Sequence, residues 1–326
     1  MLPKNTLLSS IPLSNQSVDD HGDLSQSPSL GLTEASVSFN ERLAIFNLLD
    51  QLNHLCRCVQ RHRGFSMGLL GGNESFGGGL YHQQRQMTRR IQLITAFGNQ
   101  PPALLEHADI ERLHYAWNTI HDNWQDDSVL ENFEFHCHFI DQLLLLMARL
   151  AERVSIPYAA HMHMLLTSEA NTDSANHPTT YLRLLSFASQ QLPRFVEMLG
   201  KIRALSIHVA ATGCSDVHYD KKLSYLLQCV EQEKDTVFNM TNTLQSQLAE
   251  PLPTLLTIKT YEYKLDFLLE KIKAEIVGQT VISMSEEAIF RLVTDIIDVY
   301  WRVVDDGIDL LSRWQKDDME QWLQNG

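Results

Sequence analysis

The sequence predicts an all-α protein. Apolar residues recur three and four positions apart through nearly all of the chain after residue 40. Glycine and proline clusters punctuate that pattern at helix-like intervals, and no alternating strand pair or hairpin signal interrupts it. The expected architecture is two packed helical bundles, about 38–170 and 179–314, between a disordered N-terminal tail over 1–37 and a short C-terminal tail over 315–326.

Residues 1–37 are rich in Ser, Pro, Leu and Asn without a sustained period, the composition of a disordered arm. From Asn40, the residues Leu43, Phe46, Leu49, Leu52, Cys56 and Val59 mark the apolar stripe of a first helix, which Gly71-Gly72 should end. A second helix is expected over 81–97, closed by Gly98 and Pro101-Pro102, and a third over 103–122. A fourth, over 130–154, carries Phe139, Leu143, Leu146 and Leu150 at helical spacing and breaks at Ser155-Ile156-Pro157. A shorter helix follows over 158–169, and turn formers over 171–178 separate the halves.

The second half repeats the scheme. Residues 179–211 read as one long helix that Pro193 should kink. Residues 216–249 carry Leu223, Leu227, Val230, Val237, Leu244 and Leu248, and Pro251 and Pro253 stop them. A helix over 255–276 comes next. Ser283-Met284-Ser285-Glu286 reads as a capping box, serine first and glutamate three later. It opens a last helix through Ile289, Leu292, Ile296, Tyr300, Val303 and Ile308.

Composition narrows the function. The 326 residues are 44% hydrophobic, enough for a buried core, and the formal net charge is −14, from 40 acids and 26 bases. So acidic a chain is a poor general binder of nucleic acid, although a local pocket can still attract a small anion. No run of about 18 apolar residues suggests a membrane span. No signal peptide is legible either, so a cytoplasmic protein is expected. The five cysteines are irregularly spaced and read as reduced thiols. His136-Cys137-His138 and His161-Met162-His163 place their histidines two apart, on different helix faces, so no metal site and no cofactor is assigned. No phosphate loop, nucleophile elbow or carboxylate pair appears, and a non-enzymatic role is expected.

The stretch Gln60-Arg61-His62-Arg63-Gly64-Phe65-Ser66-Met67-Gly68 stands apart. Gln60, Arg63 and Met67 share one face of the first helix, so Arg63 should sit at the edge of a packed seam. A guanidinium there needs an anion, supplied by an Asp or Glu of the protein or by a ligand. Gly64 and Gly68 permit close approach to the backbone, and Ser66 offers a hydroxyl donor. In a second stretch, Leu192, Phe195, Leu199, Ile202 and Leu205 form a stripe that Arg203 adjoins, which alone describes an ordinary amphipathic helix.

Taken together, these segments resemble the NIT domain, the nitrate- and nitrite-sensing module of bacterial regulators and receptors. The family's Gln-x-x-Arg-Gly-x-Ser/Thr motif is matched by residues 60–66. Its mid-domain leucine-rich stretch with an arginine is similar to Leu199-Gly200-Lys201-Ile202-Arg203-Ala204-Leu205. Its last helix resembles Phe290-Arg291-Leu292-Val293-Thr294-Asp295-Ile296-Ile297-Asp298. His62 stands where the family often has Glu. The resemblance spans about residues 45–312 and implies two four-helix bundles that bind nitrate or nitrite through arginines of different helices. It carries that role onto Arg63 and Arg203, with Gly64, Ser66 and Lys264 as further candidates. Lys259, Lys264 and Arg291 compete for a third basic position, where a lysine would offer a point charge rather than a planar fork.

Nitrate is planar, singly charged and has three acceptor oxygens, two of which a guanidinium can meet with parallel bonds. Two arginines facing each other repel, and the anion's arrival would remove that repulsion and draw the bundles together. Family members often carry an output module such as the ANTAR RNA-binding domain, and no such segment is recognised here. The signal is therefore expected to pass to an unidentified output protein or through self-association as a homodimer, with no direct nucleic-acid or membrane contact. The alternative is a helical interaction scaffold with no small-anion ligand, its arginines held in internal salt bridges.

Overall fold

The structure is a computed structural model that describes residues 28–101, 103–122, 124–167, 178–213, 215–279 and 281–325. The fold is all-α, as the periodicity predicts, with no strand among the described residues. The first half contains α1 (Pro28–Leu70), α2 (Gly77–Gly98), α3 (His107–His121), α4 (Val129–Arg153) and α5 (Tyr158–Thr167). The second contains α6 (Pro178–Ser186), α7 (Leu192–Thr212), α8 (Val217–Leu248), α9 (Leu255–Glu275) and α10 (Glu286–Asn325). The expected turn over 171–177 lies outside the described residues.

The two halves meet on α1. It packs against α2 and α4 on one side and against α7 and α10 on the other. The sequence shows one apolar stripe, but Ile45, Leu48, Leu55 and Cys58, which lie off it, are buried as well. From Leu52 to Gly68 few side chains of α1 reach solvent, so its buried polar residues there, such as Gln60, His62 and Arg63, must find their partners inside the protein. Burying each large aliphatic side chain here contributes roughly 1.5–3 kcal/mol. One continuous core runs from Ile45 to Leu311 through both halves.

Pro193 does disturb its helix. It lacks the N–H that would bond the carbonyl four residues back, and its ring crowds that carbonyl. The chain answers with one π-helical turn, Phe187–Gln191, in which the Leu192 N–H reaches back to Phe187 O. This turn joins α6 to α7.

Besides the starts of α2, at Gly77 rather than 81, and of α3, at His107 rather than 103, three boundaries differ from the sequence reading. Helix α1 begins at Pro28 rather than near 38, while residues 1–27 lie outside the described set. The C-terminal tail expected over 315–326 is instead helical to Asn325 as the end of α10. The reason is tertiary. Ala35, Tyr158 and Met162 form a small second core with Phe39, Met319 and Trp322 around them, and the Tyr158 hydroxyl donates to Ala35 O at 3.0 Å. Helix α5 thus clamps the start of α1 to the end of α10. Finally, Ser283 does not cap α10. The cap is Ser285, whose Oγ accepts from the Ala288 N–H at 3.2 Å, and the helix starts at Glu286.

Beside that small core, Arg42 is buried without a carboxylate. Its Nε donates to Gln315 Oε1 at 2.6 Å, and Nη2 donates to the carbonyls of Val154 and Ile156. Gln315 is fully buried and donates in turn to the Tyr181 hydroxyl at 3.4 Å. Replacing Gln315 with Leu leaves the Arg42 Nε unsatisfied, and a bond to a charged donor is worth about 1.5–3 kcal/mol. The Gln315→Leu variant is therefore expected to unfold at a lower urea midpoint, shifted by that loss divided by the slope, with the slope unchanged.

Candidate functional site

Helices α1, α7 and α10 cross at one point, and the three stretches singled out in the sequence meet there. From α1 come Gln60, Arg61, Arg63 and Gly64. From α7 come Glu197, Gly200 and Arg203, three apart along one ridge, and from α10 come Phe290, Thr294 and Asp298, four apart.

Arg63 is fully buried and already has an anion. Its Nη1 donates to Glu197 Oε1 at 2.6 Å and its Nη2 to Glu197 Oε2 at 3.1 Å, a two-pronged pair. The Gln60 Nε2 adds a third donor to Glu197 Oε2 at 2.9 Å. Gln60 is held in turn by Trp301, whose indole N–H donates to Gln60 Oε1 at 3.1 Å. Arg63 Nη1 also meets Cys137 Sγ at 3.1 Å, and its guanidinium lies over the Phe133 ring. Burial alone would lower the pKa of Arg63, but the Glu197 carboxylate outweighs it and the pKa is raised. A Cβ on Gly200 would fall 2.8 Å from Arg63 Nη2, so only glycine lets the guanidinium lie against the α7 backbone.

Arg203 is the contrast. It is as deeply buried, yet its partners are neutral. Nη1 donates to Thr294 Oγ1 at 2.8 Å, Nη2 donates to Gln60 O at 2.8 Å, and Nε has no partner. Phe290 covers its face at 5.2 Å. A Cβ on Gly64 would stand 3.3 Å from Phe290 Cε2 and 3.7 Å from Arg203 Nε, so Gly64 admits the two together. Burial first, then repulsion from Arg63 and Arg61, pushes the Arg203 pKa down to about 9. At pH 7 it is still charged. The buried group of Arg63, Arg203 and Glu197 therefore holds two positive charges and one negative.

The remaining candidates lie elsewhere. Lys264 is a correction, since it is exposed on α9 with its ammonium 4.1 Å from the Tyr261 ring centroid. Its helix packs on α8 and α10, not on α1. Arg291 is exposed and its Nε donates back to Glu287 O at 3.4 Å, and Lys259 is partly exposed on α9. Two other basic groups border the site, Arg61, paired to Asp298 at 3.1 Å in partial exposure, and Lys201, whose ammonium lies 3.9 Å from Glu197 Oε1. Ser66 turns toward α4 and donates to Asn132 Oδ1 at 2.7 Å.

The expectation that the arginines await an external counter-ion is also corrected for Arg63, because Glu197 supplies one. Glu197 lies inside the sequence segment noted above without standing out in it. The signal available was a carboxylate three residues before a glycine in an otherwise apolar run.

Next to Ser66, the buried rings of His62 and His136 form a chain. His136 Nδ1 donates to Asn132 O at 2.6 Å, so its Nε2 accepts from His62 Nδ1 at 2.7 Å. Burial keeps both neutral, lowering His62 well below the ordinary value and His136 to about 3. His138, two residues on, is exposed.

Two outcomes are expected. Arg63→Met strands the Glu197 carboxylate in the core and should cost about 3–5 kcal/mol, whereas Arg203→Met removes an uncompensated charge and should leave the thermal midpoint unchanged or higher. Acid should destabilise the fold. Between pH 6.5 and about 3 the unfolded chain binds protons that the folded His136 refuses, so stability falls as pH drops through that window. Urea midpoints measured across it should fall less steeply for His136→Gln, by at most about 1.4 kcal/mol per pH unit.

Comparison with protein-family models, with curated proteins and with solved structures finds no match to this chain.

Proposed function

We propose that this protein is an anion-responsive regulator that takes up nitrate or nitrite where α1, α7 and α10 cross, and that it binds rather than catalyses. The observation that carries the reading is Arg203, a fully buried guanidinium with only neutral hydrogen-bond partners, beside a second buried guanidinium. A protein core does not retain such a charge for stability, and perturbed buried charges concentrate at functional sites. One excess positive charge matches a monoanion. Walls made by Phe290 and Phe133 favour a weakly hydrated, planar ion over a strongly hydrated dianion, whose desolvation would cost more. The resemblance of residues 60–66 to the NIT motif points to the same ligands.

The site ties α1 to both α7 and α10, so neutralising Arg203 changes the balance of forces among three helices at once. A ligand shifts conformation only through such a difference in contacts. The recipient of the shift is an output protein or a second copy of the chain. A second reading, a ligand-free interaction scaffold, is favoured by one observation, the two-pronged pairing of Arg63 with Glu197.

Thermal melts in nitrate, nitrite and chloride at equal ionic strength separate the two. For a sensor, nitrate or nitrite raises the midpoint beyond chloride, by the equivalent of about 2.7 kcal/mol at a hundredfold excess over Kd, and Arg203→Met folds but loses the response. Equal midpoints in all three salts would leave the scaffold.

A further inference from the structure

We propose that Glu197 is an internal ligand of Arg63, and that planar monoanions reach the site by replacing its carboxylate through the groove between α4, α7 and α8. This rests on the anion-binding reading above and adds the route and the competitor that sets the threshold.

Glu197 is buried, with 3% of its surface exposed, but it lines the floor of an open groove of about 440 Å³. Asp141, Gln191, Arg194, Lys201 and Glu233 border that groove. The carboxylate is therefore the group of the buried cluster that faces an outside path. Gln191 ends the π-helical turn and keeps its buried Oε1 without a partner at the groove wall.

What Glu197 occupies is an anion receptor. Three N–H donors converge on its carboxylate, two from Arg63 and one from Gln60, in the plane of a bidentate pair. A nitrate, nitrite or formate ion offers the same flat arrangement of oxygens. Gly200 keeps the guanidinium flush with the α7 backbone, so the receptor is formed by fixed parts.

Glu197 also has somewhere to go. Lys201, one helical turn on, has its ammonium 3.9 Å from Glu197 Oε1 and 3.8 Å from Asp141 Oδ1, and it is only partly buried. Turning toward the groove, the carboxylate exchanges a buried partner for this ammonium and water. The incoming ion then meets Arg63 in its place, with the unneutralised Arg203 close by. The exchange keeps the charge balance of the cluster and returns a carboxylate to water. With Glu197 inside, the cluster carries one excess positive charge. With Glu197 turned out and one ion in, the count inside is the same and the carboxylate regains solvent. A second ion removes the excess.

The apparent affinity of the wild type is then reduced by the small fraction of time that Glu197 is turned out. Removing the carboxylate should remove that penalty. Calorimetric titration of Glu197→Gln with sodium nitrate is expected to give a Kd lower than wild type by about tenfold or more. Glu197→Ala should lose stability and regain it in sodium formate, with a rise in midpoint larger than in sodium chloride and larger than in the wild type. Glu197→Gln keeps the side-chain volume and carries the same formate test if the alanine variant does not fold.

The outcomes separate this inference from the sensor reading. Formate rescue of the variants, with a wild type indifferent to nitrate, supports the internal ligand and ends the sensor reading. Nitrate binding by the wild type with Kd unchanged in Glu197→Gln, and no formate-specific rise in either variant, overturns the internal ligand and leaves the sensor reading intact.

Discussion

The structure depends on how two buried guanidiniums are accommodated at the centre of a helical core. Arg63 and Arg203 approach one region from α1 and α7, and the Glu197 carboxylate bonds the first of them. Desolvating a charge costs several kcal/mol even after relaxation, so each such group constrains everything packed around it. Glycine must stand at 200 for the Arg63 guanidinium to fit, and at 64 it gives room to the Phe290 ring that covers Arg203. Gln60 must be locked by Trp301 to serve both arginines, one through its amide N–H on Glu197 and the other through its backbone carbonyl. The central position of α1 follows, because only a helix packed on both sides can hide residues such as Arg63 from water.

The same constraint relates stability to function. The Arg63–Glu197 pair is mutually satisfied, so its members are needed by each other. Arg203 satisfies nothing that a neutral side chain would leave costly, since Thr294 and the Gln60 carbonyl have modest requirements of their own. A core under selection for stability alone has little reason to keep it. The buried His62–His136 chain a few ångströms along α4 is a different solution to the same problem, with burial answered by neutrality instead of by an opposite charge.

Long helices can carry a change at the crossing point outward. Arg57 pairs with Asp305 and Arg61 with Asp298, so α1 and α10 are linked along one edge by ion pairs that include a residue of the motif itself. At the far end, Arg42, Gln315 and Tyr181 join the same two helices to α6. A shift of α10 against α1 at the crossing would be felt at the small core of Ala35, Tyr158 and Met162, where the ends of both helices and α5 come together.

The all-α class, the order of the helices and most of their boundaries are legible in the sequence, because helical period and glycine or proline punctuation are local properties. Pro193 announces its disturbance for the same reason. So does the oddity of Arg63, a charge in an apolar run. What the local pattern does not hold is the partner of each charge. Glu197 is separated from Arg63 by 134 positions, and nothing near either residue says that they meet. Lys264 is as basic as Arg61 and looks as suitable, yet one faces solvent and the other borders the site. The ends of α1 and α10 read as tails because their helicity depends on a remote contact with α5. The sequence by itself determined which segments are helical and that Arg63, set in an apolar seam, needs an anion. Only the tertiary structure decided that Glu197 supplies it and that Arg203 is left uncompensated, because charge pairing is set by distances through space and not by intervals along the chain.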